Sequence, residues 1–557
     1  MKTINSPAHN AAKQLFAFLL MLALTVIALP RSVVSQTIKD IATNATDPNN
    51  LADTEPSIAV DPSNPLRIAI VSFSEPWGAN VMAPVWKSTD GGVTWTKVTQ
   101  IPRPTSNAAG PGDQKVSFDS TGRIVIAELD FIPRDYVYRQ TGAANAALTQ
   151  GAQYGDDQPH LEVDKTAASP CFNRTYSPYL NFSGSPRSHV VRSPDFGATV
   201  TDVTAGSGAF PNRTTRIAVA PNGRIYIIYK TREGAVGADF ETAHFRVMRS
   251  DDCGVTWGGL GATGTAVHAG TVTTWFTNNF GNPAKGKVAR ARSSDAWIAT
   301  DPVTGEVYAA YCHRDASGRG QIFVARSADM GVTWASTRVT DGTRNSAFPE
   351  IAVAGNGAIG VLYIDYDDSG QATIFRHRLA RSFNDGATWT HSNLQSMNPG
   401  PIANASSGFL WGDYEGITAH GNKFYGVFTG ESIGRSTLQL DPIFFTAPAT
   451  NFVFPNICQI HPEVCQGVCR APCFLDECIA CMVEISIDQL FDPWEAVLFD
   501  PAGKVVNVKQ VKRGNTVTMR FRPDRQFTNR LEEFTVVFRG GKEGTKPDAT
   551  VNAKVIK

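Results

Sequence analysis

One eight-residue phrase recurs along this chain. It reads "STDGGVTW" from Ser88, "SDDCGVTW" from Ser250, "SADMGVTW" from Ser327 and "SFNDGATW" from Ser382, with a weaker copy, "SPDFGATV", from Ser193. The shared pattern is Ser-x-Asp-x-Gly-x-Thr-Trp. Asp90, Asp252, Asp329 and Asp195 fill the Asp place, Asn384 stands there in the fourth copy, and Val200 replaces the Trp in the weakest. Gly and Asp at fixed offsets mark a tight turn. Five copies of one turn imply several copies of the unit it closes.

A second repeat supplies that unit. "IAVDPSNPLRIAIVSF" (Ile58), "VSFDSTGRIVIAEL" (Val116), "IAVAPNGRIYIIYK" (Ile217), "IATDPVTGEVYAAY" (Ile298), "IAVAGNGAIGVLYI" (Ile351) and "ITAHGNKFYGVF" (Ile417) are each an apolar strand, a polar turn and a second apolar strand. The segment from Leu161 is a version with a longer turn. The seven hairpins recur at intervals of 45 to 81 residues, about the length of a four-stranded blade. The recurring turns fall in the second half of most units, where they join the two outer strands. At 557 residues the chain is too long for one ordinary core unless it closes as a barrel or propeller. The expectation is an all-β chain with a seven-bladed β-propeller, or six blades if the Leu161 unit is an insertion.

The turns resemble the Asp boxes, or BNR repeats, of the sialidase superfamily, and the resemblance covers residues 52–447. It implies that Asp90, Asp195, Asp252, Asp329 and Asn384 are structural. In the family the box carboxylate accepts backbone N–H bonds, the Ser and Thr hydroxyls close the turn, and the boxes lie on the face away from the active site. An active sialidase grips its substrate's carboxylate with three arginines, the first in an Arg-Ile-Pro motif, and uses a Tyr-Glu nucleophile pair and an Asp acid/base. Here the corresponding place reads "EPSIA", with Glu55 or Pro56 where Arg is expected, and Arg67 falls after the turn. A carboxylate there repels the substrate's own, so the family's catalytic motif does not carry over. If the chain is an enzyme, Tyr414 beside Glu415 mimics the nucleophile pair, and Asp295 is the third catalytic candidate.

Lys2 and Lys13 precede the apolar run Leu15 to Leu29, which is short for a bilayer span and is followed by small residues. Residues 1–35 are therefore expected to be a signal peptide, and the mature protein secreted, extracellular or periplasmic, without a transmembrane segment. A retained anchor is the alternative. Six cysteines, Cys458, Cys465, Cys469, Cys473, Cys478 and Cys481, crowd residues 458–481. In an exported chain this reads as three disulfides of open connectivity, against a zinc site that has only one Cys-x-x-Cys pair to recommend it. Residues 482–557 are strand-rich and are expected to form a small β-sandwich, a module for surface or partner attachment. Cys171, Cys253 and Cys312 make nine cysteines in all, so at least one stays out of intrachain pairing or bonds another chain.

Lys+Arg and Asp+Glu both number 51, which argues against a nucleic-acid partner. "GESIG" at Gly430 matches a nucleophile elbow but lacks the strand-to-helix turn, and "GLGATG" at Gly259 has no helix after it. "DYDDSG" at Asp365 begins like a calcium loop, yet its twelfth position is Arg376. No cofactor is expected, with calcium as the weakly supported alternative.

The informative positions are the starts of the innermost strands, which line a propeller's channel. Glu55, Asp113, Asp157, Asp295, Glu350, Asp413 and Glu415 put a carboxylate near one rim in six of seven units, and the fourth offers Arg213 and Arg216 instead. Carboxylates gathered this way raise one another's pKa or recruit a cation. The plainer reading is that they cap backbone groups or pair with arginines. Arg213, Arg292 and Arg344 arrive on mouth loops, and the long segment Thr271–Asp295 offers Trp275 for stacking on a sugar ring. The sequence thus reads as a glycan- or glycoprotein-binding propeller without sialidase catalysis, with a glycoside hydrolase, exo-sialidase-like or other, using rim carboxylates and Tyr414 as the alternative.

Overall fold

The structure is a computed structural model. It describes residues 37–43, 52–74, 83–101, 112–130, 134–142, 146–155, 157–181, 187–205, 212–233, 240–275, 280–282, 287–289, 296–367, 374–397, 414–433 and 440–449, and six strands between 481 and 555. Every named element is a strand.

Seven antiparallel sheets succeed one another along the chain, and each is a blade. Blade 1 runs from its innermost strand Asp53–Val60 through Ile68–Ser74 and Pro84–Ser88 to Thr96–Gln100. The innermost strands of blades 2 to 7 are Gly112–Phe118, Glu162–Val163, Asn212–Val219, Trp297–Thr300, Asn345–Val353 and Gly416–His420. Blade 7 closes the ring with an element from far away in sequence: Thr37–Asp40 pairs with Leu440–Pro448 as its outer strand. That strand lies before the 52–447 span read from the repeats. It carries no box turn, and so the repeat pattern could not reveal it.

Burial falls from the axis outward. In blade 2 the second strand, Ile124–Asp130, is buried along its whole length, because a blade covers each face. The outer strand of blade 1, Thr96–Gln100, is largely exposed. The core consists of interblade clusters, such as Val71, Val85, Ile126 and Tyr138 between blades 1 and 2.

Box turns join the third and outer strands of five blades, and their hydrogen bonds are those the pattern implies. In blade 5, Ser327 Oγ donates to Asp329 Oδ1 (2.8 Å) and accepts from Gly331 N–H (2.8 Å). Thr333 donates to the same carboxylate through N–H (2.9 Å) and Oγ1 (2.6 Å), and Trp334 Nε1 returns to Gly331 O (3.0 Å). The Thr333 hydroxyl leads the bonds that hold the Asp329 carboxyl down at about 2. Asn384 accepts from Thr388 N–H as the aspartates do (2.9 Å). Two consecutive left-handed residues make the turn, Met330 (φ 63°) and Gly331 (φ 88°). In blade 4 the first of these is Cys253, disulfide-bonded to Cys171 of blade 3. Cys312 keeps its thiol, which donates to Ser346 O.

Beyond the propeller, one sheet pairs Cys481–Ser486 with Thr516–Phe521. A four-stranded sheet orders Val505–Val511, Trp494–Phe499, Glu532–Gly540 and Pro547–Val555. These strands fall in the segment expected to form the C-terminal sandwich. Cys458, Cys465, Cys469, Cys473 and Cys478 lie outside the described residues; only the backbone of Cys481 is described.

Candidate functional site at the channel

Several innermost strands share a local defect. Register breaks between Thr54 and Ser57, Gly112 and Lys115, Arg213 and Arg216, and Ala347 and Glu350. Three of these bulges contain a non-glycine residue with positive φ: Glu55 (51°), Asp113 (55°) and Phe348 (55°). Gln158 (51°) holds the same place in blade 3. Pro56, Pro159 and Pro349 follow three of these residues, where a bulge requires no ladder N–H. Each left-handed residue costs about 1–2 kcal/mol. The bulge re-aims the chain, and the residue just before the first aliphatic of each strand meets the channel.

Those residues form a ring: Ser57, Lys115, His160, Trp297 and Glu350 line one cavity of about 310 Å³, with Glu415 beside them. The cavity follows the inner strands down to the hairpin turns at Pro221 and Pro302. Lys115 Nζ lies 4.1 Å from the Tyr414 ring centroid and 5.0 Å from that of Trp297. The buried Arg216 guanidinium touches the same rings at 5.1 and 4.9 Å. His160 meets Trp297 edge-on at 5.1 Å. Two cations from blades 2 and 4 thus share two aromatic faces from blades 5 and 7.

The acids stand opposite. Glu415 N–H donates to Glu350 Oε1 at 2.6 Å, and Glu415 Oε1 lies 2.6 Å from Nε2 of the buried His377, whose ring stacks on Phe428. Burial pushes the Glu350 carboxyl up to about 8 against the opposing pull of Lys115. Burial, reinforced by Arg216, draws the Lys115 ammonium down to about 8 against the attraction of Glu350. Both groups therefore stand close to a proton change near neutrality. Glu415 is raised by burial, with His377 opposing, and His160 is held far below the usual imidazole range by burial and the two cations. Lys115 Nζ makes no hydrogen bond to any described residue.

Of the residues read from the sequence, the structure brings Glu350, Tyr414 and Glu415 to this ring, and the charges of Glu55 and Asp113 act on Lys115. The rim is not a set of carboxylates awaiting a cation, because Lys115 and Arg216 already stand among them. Tyr414 and Glu415 do not pair with each other through the acid; that carboxylate goes to His377. Asp157 bridges to Leu180. Arg344 lines a separate small pocket with Tyr363, Asp365, Arg378 and His391. Trp275 ends Val272–Trp275, which pairs with the third strand of blade 4 and so belongs to the blade's outer edge rather than to an axial loop. Arg213 faces Lys230 in the ladder, and only its backbone is described. Arg292, Asp295 and Asp413 lie outside the described residues. Sequence reasoning missed Lys115, His160, Trp297 and His377. Aligning the inner strands on their first aliphatic residue would have found the first three.

No protein-family model matches the chain. A xyloglucanase from Hypocrea jecorina (strain QM6a) is 25% identical over 491 residues, covering 71% of this chain and 54% of the relative. The chain thus spans about half the length of that curated protein. Among solved structures, a protein of unknown function from Dyadobacter fermentans DSM 18053 is similar at a TM-score of 0.40 and 15% identity, over 75% of this chain and 99% of that one. A PL25 ulvan lyase gives a TM-score of 0.43 at 9% identity, over 71% of this chain and 94% of its own. A Hadza microbial sialidase gives 0.37 at 15%, over 72% and 67%. Seven blades, six of four strands and one of five, and five turns with the box hydrogen bonds make the fold of this chain that of a sialidase-like β-propeller.

Proposed function

We propose that this chain is an exported glycan-acting propeller that engages a saccharide at its central channel, with Lys115, Arg216, Trp297, Glu350 and Tyr414 as the contact ring. The observation that carries the reading is that ring: two buried cations, two aromatic faces and a buried carboxyl converge at one level of the channel. Aromatic faces take the apolar faces of sugar rings, and fixed charges and hydrogen-bonding groups orient the hydroxyls. The likeness to a xyloglucanase supports a glycan as ligand. The Cys171–Cys253 disulfide supports export, since such bonds persist in oxidising compartments.

Hydrolysis is the second reading, and Glu350 favours it. A carboxyl group pushed up to about 8 is protonated at neutral pH, as a general acid for a glycosidic oxygen must be.

Binding is tested with xyloglucan and a panel of other plant, algal and animal polysaccharides. Trp297→Ala and Lys115→Met are each expected to weaken binding at least tenfold, about 1.4 kcal/mol, in protein that stays folded by circular dichroism at the assay temperature. Retention of wild-type affinity by both variants places the ligand elsewhere. Release of reducing ends that Glu350→Gln abolishes establishes the hydrolase, and release that survives that substitution removes Glu350 from the chemistry.

A further inference from the structure

The outer strand of blade 4 is broken. Thr265–Ala266 pairs with Arg246 and Val247, while Val272–Trp275 pairs with Phe240 to Ala243. Val267 N–H still donates to Phe245 O at 3.0 Å. The return bond is different, because Phe245 N–H donates to His268 Nε2 at 3.3 Å. Past the break, Thr273 N–H crosses the blade boundary to His313 Nδ1 at 3.1 Å, on Val307–Arg314 of blade 5. Two backbone donors therefore end on imidazole nitrogens. A ring nitrogen accepts a hydrogen bond only while it carries no proton.

Burial favours the neutral rings, against the acids beside two of them and against backbone bonds at Ala269, Gly270 and Thr273, which favour the charged form. His268 stacks on His244 at 5.5 Å and 8°, and also meets Phe245 and Tyr311. Glu233 faces His244 at 2.9 Å, with Arg246 also acting on it, and Asp315 is the charge beside His313. Ser336 Oγ holds Val267 O from blade 5 (3.2 Å). Burial, then the neighbouring His244, draws His268 down to about 4, and burial lowers His244 and His313 as well.

We infer that the outer strand of blade 4 is a proton-released latch, in which neutral His268 and His313 hold Val267 to Trp275 in place and protonation lets that segment go. The sign follows from linkage. A histidine whose folded pKa is depressed contributes fully above its ordinary value of 6.5, and that contribution is lost as the pH falls toward about 4. Charging the stacked His244 and His268 adds repulsion between them. Such a latch makes one edge of the propeller acid-labile while the rest of the ring stays closed.

The test is residue-resolved amide exchange on the whole protein, corrected for the intrinsic pH dependence of exchange. Between pH 7 and 4.5, protection of the Phe245 and Thr273 amides is expected to fall at least tenfold, while Ile126 and Val137 in blade 2 keep theirs. His268→Gln and His313→Asn each substitute an acceptor that does not titrate. Together they are expected to remove the pH dependence at both amides. If the double variant does not fold, His268→Gln alone is read at Phe245 with Thr273 as the internal reference. Unchanged protection at pH 4.5 overturns the latch. So does an equal loss in blade 2, or a pH response that persists in the variants.

Discussion

The box turns and the channel ring are both polar constructions, built in opposite ways. In a box, each polar atom finds its partner within eight residues, so that Ser327, Asp329, Gly331 and Thr333 satisfy one another across a single hairpin. In the ring, Lys115, Arg216, Trp297, Glu350 and Tyr414 come from five blades; the two cations pack on the same two rings, and Lys115 and Glu350 act on each other's charge. Local constructions fail locally. A convergent one fails as a unit, and its members are expected to be non-additive.

The sharpest break in that comparison is Arg216→Ala. It removes a fully buried cation wedged between Trp297 and Tyr414 and leaves both a cavity and an altered charge balance around Glu350. A loss of about 4 kcal/mol is expected in urea unfolding. Combining it with Lys115→Met should cost less than the sum of the two single losses. Strict additivity would show that the ring is not one unit.

Glu350→Gln sharpens the comparison through pH. Burial raises the folded pKa of Glu350 from 4.5 to about 8. The wild type therefore bears no penalty below about pH 4.5, where both states are protonated. The penalty grows between 4.5 and 8, as the unfolded chain ionises and the folded one does not. The glutamine variant should gain on the wild type across that window, by on the order of 4 kcal/mol at its upper end. A difference that is flat with pH would mean that Glu350 is ionised in the fold.

The smallest effect is expected in a box. Ser382→Ala deletes a buried hydroxyl that donates to Asn384 (3.0 Å) and accepts from Gly386 N–H (2.9 Å). A cost of about 1–2 kcal/mol is expected from thermal melts, with no effect on saccharide binding. Loss of binding in this variant would connect the two faces and undo the distinction drawn between them.

The same contrast explains what was legible. The boxes and the hairpins could be read directly, since a turn's hydrogen bonds run between residues a few positions apart; the count stood at seven, or six with the Leu161 unit as an insertion, and closure of the third blade decided for seven. The closing strand Thr37–Asp40 could not be read, because it pairs with Leu440–Pro448 across almost the whole propeller. The carboxylates Glu55, Asp113 and Glu350 were visible as a recurrence. Of the two cations among them, Arg216 was visible as the fourth unit's departure; Lys115 was not, because in "GDQKVSF" it looks like any charged residue at a strand's edge until the bulge at Asp113 turns it inward. Trp275 was mistaken for an axial loop residue because nothing local marks a strand broken at Val267 to Thr271 and resumed at Val272.

By itself, then, the sequence determined the repeating unit: short-range patterns of apolar alternation and turn chemistry depend on neighbours along the chain, and they specify blades wherever they occur. Only the tertiary structure decided which polar side chains face one another across the axis, which ring nitrogen receives a backbone N–H from a neighbouring blade, and which carboxyl is pushed upward by burial. Those outcomes depend on closure of the ring, which places residues hundreds of positions apart within a few ångströms and removes the water that would otherwise have screened them.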